Sequence, residues 1–184
     1  MNIGDIEKSL KNLNLETLDC VFLAEPIEIG MRKWRDPKEV YMRIGHAFAF
    51  LEEMVQEGKI ASYGIQAHES FMLDPIVDSA FDNKPMENYH CFQINELVKI
   101  ARSVAGSHNH NLKFFQMPFN MQTSHAMTND YQKLSKRVDG RVEEDGRVLE
   151  VFQDHDSLSV FDLCEHFKIN FIGHGILGGQ QRAY

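Results

Sequence analysis

The strongest constraint on this chain is an alternation repeated four times: a stretch with apolar residues at helical spacing, then a short run that is mostly apolar. Ile6, Leu10 and Leu13 predict a helix over about 5–15, followed by Leu18-Asp19-Cys20-Val21-Phe22-Leu23-Ala24, which Glu25-Pro26 stops. Asp36-Pro37-Lys38-Glu39 carries a cap, a first-turn proline and a capping-box acid. Val40, Ile44, Ala47, Phe48, Leu51, Met54 and Val55 continue that helix to Gly58, and a strand over 60–65 follows. Leu97, Val98, Ala101 and Val104 predict a third helix over 95–105 with Gly106 as its stop, then a strand over 112–117. The last pair is a helix from about Ser157 to Phe167 and a strand over 169–172. Continuous short apolar runs suit strands buried on both faces, and helices alternating with them predict an α/β fold with a parallel sheet. Four such strands fit a small open sheet, or four consecutive units of an eight-stranded barrel, which takes about 250 residues in full.

The remaining segments read as connections. Residues around Gly30, Trp34 and Arg35 form a polar loop whose Arg32-Lys33-Trp34-Arg35 is the sole basic patch, either an exposed loop or a contact for an acidic partner. Residues 71–89, with Pro75 and Pro85, read as a surface loop with a short helix. Residues 123–154 read as an insertion within a single domain over 1–184, hairpin-like or irregular, with turns at Asp139-Gly140-Arg141 and Asp145-Gly146-Arg147 and a solvated acidic face at Glu143-Glu144-Asp145.

Composition narrows the function. Nineteen Lys and Arg against 27 Asp and Glu leave a formal charge of −8, which argues against nucleic acid or an anionic membrane as a partner bound through bulk charge. The sequence has no long apolar span and no signal-like or transit-like start, and Cys20, Cys91 and Cys164 are odd in number and far apart. An intracellular protein with reduced thiols is the expectation, soluble or complex-bound, cytoplasmic by default. His108 and His110 suggest a metal, but no third ligand can be named. Cys164 and His166 sit two apart on a predicted helix and do not share a face, so Cys164 reads as a buried thiol.

Four stretches resemble one family, in order. Ser9 to Pro26, ending in Leu23-Ala24-Glu25-Pro26, resembles the segment of aldo/keto reductases that enters the fourth barrel strand. Phe50-Leu51-Glu52-Glu53-Met54-Val55-Gln56-Glu57-Gly58-Lys59-Ile60-Ala61-Ser62-Tyr63-Gly64-Ile65 is similar to the fourth helix and fifth strand. Glu96-Leu97-Val98-Lys99-Ile100-Ala101-Arg102 with Phe115-Gln116-Met117-Pro118-Phe119-Asn120 resembles the sixth unit. Ile169 to Gly179 resembles the seventh strand and its loop. The resemblance implies a partial TIM barrel covering the fourth to seventh βα units.

It also implies what to look for in a site. The family reduces carbonyls with NADPH, using an Asp, a Tyr, a Lys and a His. The first three belong to units with no counterpart in this chain, and the His position falls on Ala24. Gln66 and Ala67 stand where residues that hold the nicotinamide carboxamide are usual. Gln116 and His174 match a carboxamide contact and a stacking position, and read as vestigial cofactor contacts. No catalytic residue and no metal site is expected. The implied reading is a catalytically inactive relative, without cofactor, kept as a structural or interaction subunit among other protein chains. Two alternatives stand beside it: an NADP(H)-dependent reductase completed by a second chain or a missing N-terminal segment, and a module that senses NADP(H) without turnover. A sheet of four barrel strands leaves two edges, which must be covered by insertions, a second copy or another protein.

Overall fold

The structure is a computed structural model that describes residues 3–68, 70–71, 91–121, 123–144 and 147–176; at 135–144 and 147–157 only the backbone is described. The expected loop over 71–89 lies almost wholly outside these residues.

Helix α1 (Ile3–Leu13) leads to β1 (Val21–Ala24), and α2 (Pro26–Trp34) and α3 (Pro37–Gln56) lead to β2 (Tyr63–Gln66). Then come α4 (Ile94–Ala105), β3 (Leu112–Pro118), a short α5 (His125–Thr128), strands β4 (Gln132–Glu144) and β5 (Arg147–Leu158), α6 (Val160–Phe167) and β6 (Asn170–His174). The four expected strands form one sheet in the order β1-β2-β3-β6, with every pairing parallel. The chain therefore has the α/β architecture of a partial TIM barrel.

The local signals explain the elements. Asp36 accepts a hydrogen bond from the Lys38 amide at 2.9 Å, a cap that stabilises α3 by about 1 kcal/mol. Ser159 and Asp162 close a reciprocal capping box on α6, and the Ser159 hydroxyl and amide hold the Asp162 carboxyl below its usual range. The α3 and α4 stripes are buried against the sheet, and Gly106 ends α4 in a left-handed turn at φ 65°.

Among the described residues, one side of the sheet is closed and the other is not. Leu23, Tyr63, Ile65, Phe115 and Met117 are buried, and the Tyr63 ring lies 5.1 Å from that of Phe48 on α3. Alternation turns Phe22, Gln66, Phe114, Gln116 and Ile172 to the opposite face, where all are only half-buried. Gly64 lies between Phe22 and Phe114, whose rings approach to 6.1 Å across β2.

Three expectations change. Residues 26–34 are a helix rather than a polar loop. Pro26 begins it, and Ile27, Gly30 and Met31 form its buried face. The basic patch is the end of that helix, where Lys33 and Arg43 flank the Trp34 ring at 5.0 and 4.2 Å. Asp139-Gly140 lies inside β4, where the register shifts between Arg137 and Arg141, as a strand glycine allows. β4 and β5 pair as an antiparallel hairpin, while Asp145-Gly146 lies outside the described residues.

A Cβ on Gly64 would stand 2.7 Å from the Phe114 carbonyl oxygen and 2.7 Å from the Phe22 ring. Gly64→Ala is therefore expected to cost about 2 kcal/mol in urea unfolding, because backbone as well as side chain must shift. A midpoint equal to wild type would refute the close approach of β2 and β3.

Candidate functional site

In parallel α/β sheets, chemistry collects at the carboxyl ends of the strands. Here those ends carry Ala24, Gln66, Gln116 and His174, all on the open face. Ala24 pairs in register with Gln66 and Gln66 with Gln116; on β6, His174 stands beside Pro118. The structure thus brings Gln116 and His174 to one face and one end. Ala24 is exposed there and offers neither donor nor charge.

Three further residues build the site, and sequence reasoning did not identify them. Glu25 follows Ala24 in a left-handed turn at φ 48°, which tips the chain from β1 into α2. Its carboxylate accepts a hydrogen bond from His68 Nε2 at 2.9 Å and lies 3.6 Å from Arg32. Glu28, one turn into α2, accepts the His68 backbone amide at 2.7 Å, while its Oε2 is buried without a partner among the described residues. In that contact Nε2 carries the proton and the Glu25 carboxylate accepts it. The ring of His68 then meets His174 edge-on, with centroids 5.7 Å apart at 86°. His174 Nε2 is buried and unpartnered among the described residues.

This constellation holds an imidazole oriented by a carboxylate. Gln66 and Gln116 lie side by side and could hold a carboxamide. The His174 ring stands perpendicular to that of His68. The fit to a nicotinamide is thus partial, and no hydride step follows from it.

The other sequence candidates lie apart. His108 is exposed and His110 buried, and no group of three metal-ligating residues occurs among the described residues. Cys164 is buried while His166 is exposed; burial pushes the Cys164 and Cys91 thiols up to about 12, which leaves them inert. Among the described residues no helix is long and apolar enough to cross a membrane.

The sequence model of the aldo/keto reductase family matches residues 3–86, a stretch that carries α1, β1, α2, α3 and β2. Residues 3–86 are thus similar to that family, and the parallel sheet has the architecture of a partial TIM barrel. No curated protein matches the chain.

Burial, then the nearby charge of His68, holds His174 below the usual imidazole range; burial, then Lys113 and Arg102, does the same for His110. A histidine depressed in the folded state contributes stability that is complete above about pH 6.5 and is lost as pH falls through the folded value. The urea midpoint is expected to drop from pH 7 to pH 5, and His174→Asn should remove part of the drop. A midpoint that is flat or rises over that window would contradict the placement of both rings.

Proposed function

We propose that this chain is a non-catalytic aldo/keto reductase domain that serves as a structural or interaction subunit of a protein assembly. The observation that carries the proposal is Ala24. It stands at the carboxyl end of β1, where the resemblance would put the histidine that polarises the carbonyl, and it is exposed with nothing to donate. Its place inside the sheet makes this independent of what surrounds the chain. The half-buried face holding Phe22, Phe114 and Ile172 supports the partner half of the reading, because apolar surface of this kind marks interaction sites. Gln116 and His174 are read as vestiges of a cofactor contact, and no cofactor is required.

A second reading, a reductase completed by another chain, draws on one specific observation: His68 is an imidazole oriented by Glu25 at the same end of the sheet. It would have to take over the polarising role from the neighbouring strand. A module that senses NADP(H) without turnover has only Gln66, Gln116 and His174 to draw on.

NADPH oxidation with a panel of aldehydes separates these readings. The purified chain is expected to give no turnover above the uncatalysed rate, and Ala24→His is expected to restore none, since catalytic groups acting as a unit are not additive. Turnover by the wild-type chain that His68→Ala abolishes would replace the proposal with the second reading. Saturable quenching of NADPH fluorescence without turnover would replace it with the sensing module.

A further inference from the structure

We propose that the amino end of β3 is an anion site, built by Arg102, His110 and Lys113 and suited to a small oxyanion of the phosphate class, free or as a phosphomonoester. The site lies at the opposite end of the sheet from Ala24 and Gln116, so it is independent of the reading of that end.

The topology brings the three residues together. Arg102 is in the last turn of α4, His110 lies in the connection from α4 to β3, and Lys113 is the second residue of β3. The register sets Tyr63 against Leu112 and Gly64 against Phe114, which leaves Lys113 as the extra residue of a bulge. A bulge re-aims a side chain out of the strand's alternation, so that it serves a site instead of a face. The connection is held in place, since Glu52 accepts the Asn111 backbone and side-chain amides. On the other side, the Asn170 side chain at the start of β6 donates to the Lys113 carbonyl at 3.2 Å.

These residues present positive charge and hydrogen-bonding capacity that nothing described takes up. The Arg102 guanidinium lies 5.5 Å from the Phe167 ring centre, yet its Nε is buried with no partner among the described residues. His110 is only 5% exposed, and its Nδ1 is likewise buried and unpartnered among them. Arg102 and Lys113 are half-buried, and neither forms an ion pair among the described residues. Both charges, after burial, depress the His110 imidazole, which sets the three within reach of one another. Glu52 is the acid that acts on His110, and both its oxygens are already engaged by Tyr63 and Asn111. The negative end of α4 accounts for a cation at Arg102 but not for a bare Nε. A buried water would satisfy one nitrogen and leave the charge uncompensated. A phosphate group answers both, because a guanidinium grips two of its oxygens and an ammonium meets a third as a point charge.

Isothermal titration calorimetry on the full chain tests this, with inorganic phosphate and glycerol 3-phosphate as probes. One saturable site is expected, with a dissociation constant below about 1 mM. Arg102→Gln and Lys113→Gln should each weaken binding about tenfold. Lys38→Gln, at the exposed start of α3, should leave it unchanged. Tighter binding of glycerol 3-phosphate supports the site with a phosphomonoester as its ligand, and equal or weaker binding supports it with the free ion. Circular dichroism checks that each variant folds. Where one does not, NMR of the wild-type His110 ring decides. Phosphate is expected to raise the pH at which that ring titrates, because a bound anion offsets Arg102 of α4 and Lys113 of β3, which with Glu52 of α3 are the charges acting on it. No saturable binding of either probe up to about 10 mM, an affinity that neither variant changes, or a His110 titration that ignores phosphate overturns the proposal.

Discussion

Glu52 projects from α3 into the interior and there accepts three hydrogen bonds, from the Tyr63 hydroxyl at 2.9 Å and from the Asn111 backbone and side-chain amides at 2.8 and 2.7 Å. Tyr63 begins β2, and Asn111 directly precedes β3. The Tyr63 amide in turn donates to the Asn111 carbonyl at 3.0 Å. One carboxylate therefore fixes a helix onto two strands and sets the level at which both start. Because β2 and β3 start together, Gln66 and Gln116 end together, and the polar end of the sheet is assembled at a common height. A buried carboxylate is tolerated only with such a set of donors. Burial, reinforced by Glu52, pushes the Tyr63 phenol well above its usual range, so it remains a donor.

From that fixed frame the asymmetry of the molecule follows. The helix side of the sheet is filled by Phe48, Leu51, Leu97 and Val98, all essentially inaccessible to water. The opposite side carries aromatic rings and amides that are only half-covered. In a complete barrel that side is the interior.

Much of this was legible in the sequence. Helix-period stripes, two of them ended by Gly58 and Gly106, and apolar runs without alternation, located four strands and the helix before each of them. Helix α2 was hidden because Glu25-Pro26 reads equally as the end of a strand and the start of a helix, and because Gly30 resembles a loop residue. Its glycine has another purpose: a Cβ there would stand 2.9 Å from Val40 on α3. With α2 unplaced, Glu25 and Glu28 could not be set one turn apart facing His68. The signal was present, since Ile27, Met31 and Trp34 have helical spacing and His68 lies just past a strand's carboxyl end. Ala24, Gln116 and His174 were identified only through the resemblance, because isolated residues at strand ends carry no pattern of their own.

The central claim is that the open face and edge of the sheet belong to an interface. Cys20 reports on it without any substitution: it is half-buried immediately before β1, whereas Cys91 and Cys164 are buried and serve as internal controls. Maleimide labelling followed by mass spectrometry, on the assembled chain and on the same chain diluted until it dissociates, reads the three thiols separately. The account predicts that Cys20 is protected in the assembly and reacts on dilution, while Cys91 and Cys164 stay unreacted in both. Equal labelling of Cys20 in the two states would contradict it.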